Sequence, residues 1–295
     1  MTATDLPPEA EGRLEHKGFS SGLSVPDFAA CLQMGLRPVG LVQGFCVMRW
    51  SWYGPGSPYA GATLFSNYRG GTLSSYRCPH GYMVSGTDHR TWGANVEQSW
   101  LTSTWAQGFN AAYQRMLEEA GEAGGHGVVG VVDRTSHLVG EDVYEFHLYG
   151  TAVVVEGAPA GASIWSTYLA GQRLAKLVEA GLFPVSVAAS MASVRVWPVC
   201  ATEMLMEGRW DNYGVSYQNE ISQLADAQTQ VRQLAADHIR QVIGHDTLHG
   251  VTMSVAEHER GASDLELTCT IRGNRVRRFR AADPLPAPRP TVTLR

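Results

Sequence analysis

Residues Gly124 to Val132 read GGHGVVGVV, and Thr247 to Val255 read TLHGVTMSV. In both, His-Gly-Val opens a run of small and apolar residues, the period-two pattern of a β-strand. Before the first stretch, Val96, Trp100, Phe109, Tyr113, Met116, Leu117 and Ala120 recur at helical spacing up to Gly124-Gly125. Before the second, Tyr217, Ile221, Leu224, Val231, Leu234, His238, Ile239 and Val242 do the same up to Gly244. This spacing predicts a long amphipathic helix in each place, ended by glycine. Beyond each strand, VYEFHLYGTAVVV and LELTCTIRGNRV alternate again, so each helix is followed by an antiparallel strand pair.

Working outward, MGLRPVGLV (Met34 to Val42) matches AGLFPVSVA (Ala180 to Ala188), pairing Gly35 with Gly181 and Pro38 with Pro184. The His-Gly-Val blocks pair Gly127 with Gly250 and His126 with His249, and LYGTAV against IRGNRV pairs Gly150 with Gly273. The blocks keep their order, the signature of a tandem duplication. A short helix precedes each Gly-Leu-x-Pro-Val block, with Ser24 as N-cap and Pro26 in the first turn of the first copy. The second such helix is expected within IWSTYLAGQRLAKLVEAG. The fold expected is α+β: two tandem units, each short helix, strand, long helix and antiparallel strand pair. A flexible arm occupies 1–17, the first unit 18–157 with an insertion at 51–93, the second unit 158–280, and a Pro-rich tail 281–295.

Gly127, Val128, Val129, Gly130 and Val131, followed by Gly150, Thr151, Ala152 and Val153, resemble the signature of the YbjQ family, labelled as heavy-metal-binding domains. The second copy departs from it, with Asn274-Arg275 in place of Thr-Ala. The resemblance implies a dodecin-subunit-like α/β unit that assembles as a ring, typically a pentamer, with no established reaction. From the linker EGAPAGAS (Glu156 to Ser163), which leads toward a further helix, the two units are expected to stack as layers of two coaxial rings.

Composition sets the outer bounds. The chain has 295 residues, 44% hydrophobic and 17% charged, with a net charge of -5, ordinary for a globular protein and no basis for expecting nucleic acid as partner. No apolar run reaches the roughly 18 residues of a membrane span, and the N-terminal stretch lacks the pattern of a secretory signal, so the compartment expected is the cytoplasm. Five cysteines without a Cys-x-x-Cys pair argue for reduced, mostly buried thiols.

Candidate chemistry is sparse. His126 and His249, each just past a helix end, are metal-ligand candidates, weighed against a structural role at the helix C-terminus. Cys78, His80 and His89 form a second candidate trio within the Gly- and Tyr-rich insertion, which reads otherwise as an interface loop with a hairpin turning at Gly70-Gly71. RGNRVRRFR (Arg272 to Arg280) reads as a charged edge strand, or alternatively a phosphate site. Glu118-Glu119 and Glu141-Asp142 read as solvated pairs. Phosphate loops, nucleophile elbows and zinc-protease motifs are absent from the sequence. The reading is a non-enzymatic, ring-forming structural or interaction protein that needs no cofactor, with itself and an unidentified protein as partners. The alternative is a carrier of a divalent metal or small ligand.

Overall fold

A computed structural model describes residues 20–49, 75–77, 83–85, 93–137, 143–158, 163–206, 220–259 and 265–280. It is mixed α/β, with two four-stranded sheets and a two-stranded one. Helix α1 (Val25–Gln33) starts as its sequence requires: the Ser24 hydroxyl accepts from the Asp27 amide at 3.3 Å and Pro26 lies in the first turn. Gly35, at φ +74°, turns the chain into β1 (Leu36–Arg49). Strands β2 (Ser75–Arg77) and β3 (Met83–Ser85) form the small antiparallel sheet. The hairpin expected to turn at Gly70-Gly71 lies outside the described residues.

Val96, expected in the long helix, lies in a short strand, β4 (Asn95–Glu97), and helix α2 runs from Ser99 to Glu122. Strands β5 (Gly127–His137) and β6 (Val143–Val155) complete the first half. The α2 backbone lies directly on β1: a Cβ on Gly44 would stand 2.0 Å from the Ala112 carbonyl oxygen. Around that crossing Leu101, Met116, Phe146 and Leu148 are fully buried, each contributing about 1.5–3 kcal/mol relative to exposure.

The second half begins with β7 (Trp165–Ser166), and helix α3 covers only Gly171–Glu179 of the segment expected to be helical. Strand β8 (Leu182–Val196), a short helix α4 (Cys200–Met206), helix α5 (Ser222–Ile243), and strands β9 (Thr247–Glu259) and β10 (Leu265–Arg278) follow. The sheets are ordered β1-β6-β5-β7 and β4-β8-β10-β9. The three long strands of each half, β1-β6-β5 and β8-β10-β9, therefore have the same order, with the last strand in the middle.

Register shows which positions correspond. Pro38 faces Val153 and Pro184 faces Val276, with a bulge just after each proline. On the other side, a bulge leaves Gly130 and Val131 opposite Gly150, while Gly250 and Val251 stand opposite Gly273. Gly130 and Gly250 have φ of +62° and +65°. The partner of Gly250 is thus Gly130, not Gly127 as the sequence alignment had it, and the position matching His126 is Asp246, not His249. Gly130 and Gly150 lie 20 residues apart, whereas Gly250 and Gly273 lie 23 apart, so the single offset that pairs Gly150 with Gly273 cannot also align this strand.

The halves interlock. β7, from the second half, adds in parallel to β5 of the first sheet, while β4, from the first, adds to β8 of the second. Val187, Ala189 and Met191 of β8 share one buried cluster with Trp105, Phe109 and Met116 of α2. At α1 and α3, Gly171 lies so close that a Cβ would meet the Asp27 carbonyl oxygen at 2.0 Å, and the Asp27 carboxylate accepts from the Gln172 amide at 3.0 Å. The units are adjacent and exchange strands, which corrects the expectation of separate stacked layers.

Candidate functional site

The most elaborately built region is the seam between the halves. Thr167, fully buried, donates its hydroxyl to Asn274 Oδ1 at 2.8 Å, and the Tyr168 amide donates to the same oxygen at 2.8 Å. The Leu169 amide donates back to the Thr167 hydroxyl at 3.1 Å. The first half repeats this latch: Ser21 Oγ lies 3.2 Å from Thr151 Oγ1, the Gly22 amide donates to Thr151 at 3.1 Å, and the Leu23 amide donates to Ser21 Oγ at 3.1 Å. Asn274, which replaces the threonine of the first copy, therefore does the work of Thr151.

Four main-chain bonds fasten 165–169 along the β5 edge, the first from Trp165 N–H to the His126 carbonyl at 3.3 Å. Thr167 N–H donates to Val128 at 2.9 Å, Gly130 N–H to Leu169 at 3.0 Å and Val131 N–H to Thr167 at 2.9 Å. Beside them Arg272 Nε of β10 donates to Asp133 Oδ2 of β5 at 2.5 Å, an ion pair across the seam. Burial, and then the Asp133 carboxylate, push the neighbouring Tyr168 hydroxyl well above its ordinary range. Tyr113 of α2 reaches Ser166 Oγ at 2.8 Å, and that oxygen accepts from the Val187 amide at 3.0 Å. The site holds the two halves together through buried polar side chains and main-chain bonds.

The residues singled out in the sequence fare differently. His126 is half-buried, and its Nδ1 accepts from the Val155 amide at 3.1 Å, so that lone pair faces a main-chain donor. His249 is exposed on β9 and shares neither His126's position nor its bond. Cys78, His80 and His89 lie outside the described residues, as do Glu141 and Asp142. Among the described residues no three His, Cys, Asp or Glu side chains converge on a metal position.

The arginine run is not an edge strand, because β10 lies between β8 and β9. Three of its five charges are paired, Arg272 with Asp133 and Arg275 and Arg277 with Asp246, while Arg280 donates to the Glu179 carbonyl at 2.5 Å. Arg277 and Arg275 hold the Asp246 carboxyl down at about 2. Glu119, expected to be solvated, is buried and its Oε2 accepts from the Gln43 amide at 3.0 Å. Helix α2 is pressed between β1 and β8, so a nominally polar position faces a strand edge. Cys31, Cys46 and Cys269 are free and buried. No described helix is long and apolar enough to cross a membrane.

An aromatic patch escaped notice in the sequence. On the open face of the first sheet Phe45 stacks on His147 with centroids 4.1 Å apart, and His147 meets Tyr149 at 5.0 Å. The only signal for it is strand alternation, which places Phe45 and Val47 on the face away from α2.

No family model matches this chain. No solved structure is matched. A curated relative is: an encapsulin nanocompartment protein of Mycobacterium tuberculosis is 25% identical over 260 residues, covering 85% of this chain and 83% of the relative. These findings overturn the resemblance to the YbjQ family. The full Gly-Val signature on which the resemblance rested occurs in the first half alone; the second has Asn274-Arg275 in place of Thr-Ala, and its Gly250 corresponds to Gly130 rather than Gly127.

Proposed function

We propose that this chain is a non-enzymatic structural subunit that assembles with copies of itself into a closed protein compartment or ring. The observation that carries the reading is the extent of the match to the encapsulin nanocompartment protein: at 85% of this chain it reaches into both halves, rather than one motif. The surface supports it. β9 is the outermost strand of its sheet and bears exposed Val251 and Met253, while Phe45 and Val47 are exposed on β1. A long strand edge with apolar side chains calls for a partner.

The two-unit division at 18–157 and 158–280 is part of this reading, supported by the repeated latch and register. So is a cyclic arrangement, with a constraint on the count. Whole chains carrying two adjacent units cannot close a ring of five units, so five-fold symmetry requires five chains. The carrier reading draws no comparable support from the described residues.

Light scattering coupled to size exclusion tests the proposal. A mass that is a multiple of the 32.0 kDa chain, with closed particles in electron micrographs, is the expected result. A monomer at micromolar concentration would sink it.

A further inference from the structure

The seam inside the chain has two sides, and each half presents only one of them to the other. On β5, Val129 is fully buried and Val131 is 3% exposed, because 165–169 and α3 cover them. The corresponding residues on β9, His249 and Val251, are exposed, the latter at 53%. On the other side of the seam, Leu174 of α3 is fully buried and Val178 packs on the same cluster. The residue of α1 corresponding to Val178 is Leu32, which is 51% exposed. Val129 and Val131 are buried where a neighbouring unit exists and their counterparts His249 and Val251 are exposed where the chain offers none, and Leu32 is more exposed than its half-buried counterpart Val178.

The two bare surfaces complement each other. Ser21, Gly22 and Leu23 already hold the conformation of Thr167, Tyr168 and Leu169, through the same side-chain latch. A segment fixed in its docking conformation loses little further entropy on binding. The β9 edge keeps the receiving geometry, with Gly250 at φ +65° where Gly130 has +62°.

Building on the self-assembly reading, we infer that Ser21–Leu23 of one copy adds as a parallel strand to the open edge of β9 in a second copy. Ser21 N–H donates to the Leu248 carbonyl, Gly250 N–H to the Leu23 carbonyl and Val251 N–H to the Ser21 carbonyl, mirroring the bonds of 165–169 on β5. The junction is head-to-tail, so it propagates from copy to copy and closes when the rotation permits. It also differs from the internal seam. Met253 and Tyr149 correspond to Asp133 and Arg272, so an apolar contact replaces the ion pair. Val25, 84% exposed, stands where Gly171 admits the Asp27 backbone, so the helix pair sits wider than α1 on α3.

Hydrogen exchange on the assembled full-length protein tests the junction without any substitution. The amides of Gly250 and Val251 are expected to be protected to within about tenfold of those of Gly130 and Val131. A second test uses Val251→Pro and Ser21→Pro, each lacking one donated N–H at the junction. Each alone should fall below the wild-type mass with its circular dichroism kept. Mixed, they retain one intact pair of surfaces and should give a particle of about two chains. Gly250 and Val251 exchanging freely within an assembled particle would overturn the inference while leaving self-assembly standing. So would two variants that assemble as wild type, or that never combine. A monomeric wild-type protein would overturn both readings.

Discussion

Arg272 Nε and Asp133 Oδ2 meet at 2.5 Å across the seam, joining the middle strand of one sheet to a strand of the other. Asp133 is nearly buried in the pair, with its side chain 6% exposed, while Arg272 keeps partial access to solvent at 28%. Removing the guanidinium leaves a carboxylate in a poorly solvated place. Arg272→Met is therefore expected to cost about 1–3 kcal/mol, less than a fully buried pair because of the solvent at Arg272. Asp133→Asn with Arg272→Met should cost less than the sum of the single changes in urea unfolding. Additive costs would mean the pair does not couple.

The crossing of α2 over β1 makes a sharper prediction. A methyl at Gly44 would meet the Ala112 carbonyl oxygen at 2.0 Å and the Met116 nitrogen at 2.6 Å, both main-chain atoms that cannot rotate away. Gly44→Ala is expected to lower stability by about 2 kcal/mol or more, since overpacking forces the helix off the sheet. Gly40, on the same strand with nothing within 4 Å, is the control, and its alanine variant should lie within about 0.5 kcal/mol of wild type. Equal costs at the two positions would refute the close approach.

Acid should act through Asp246. Its folded-state carboxyl is held at about 2, below the ordinary 3.8, first by Arg277 and then by Arg275. A carboxyl with a depressed value contributes stability that is complete above about pH 4 and is lost as the pH falls towards 2. Wild type should therefore lose stability relative to Asp246→Asn over that window, and the difference should be constant above pH 5. A gap unchanged from pH 6 to 2 would show that the arginines do not hold the charge.

The buried thiols give a fourth expectation. Burial, then the Asp27 charge, push Cys31 up to about 11, and burial raises Cys269 as well. Since the thiolate is the reactive form, Cys31 and Cys269 should resist a soluble thiol reagent until the protein unfolds, and burial alone should shield Cys46. Mass spectrometry of native protein labelled at any of these positions within minutes would contradict their burial.

The sequence alone determined the features set by neighbours along the chain. Periodicity placed the long helices, and Ser24 and Pro26 placed the start of α1. Gly35, Gly181, Gly124 and Gly244, each at positive φ, ended their helices because φ at one residue is a local matter. The pairing of Pro38 with Pro184 was legible for the same reason, since a bulge follows both. What only the tertiary structure decided depends on which distant segments meet. The three-residue slip that parts His126 from His249 appears only through register against β6 and β10. The strands β4 and β7 are too short to show a period, and exist because an edge of the other half stands ready to pair with them. Glu119 reads as solvated because charge on a helix is ordinarily outward, and the arginine run reads as a charged edge strand because the partners Asp133 and Asp246 are far away in sequence. Long-range pairing fixed all four, and no short window of sequence contains both partners.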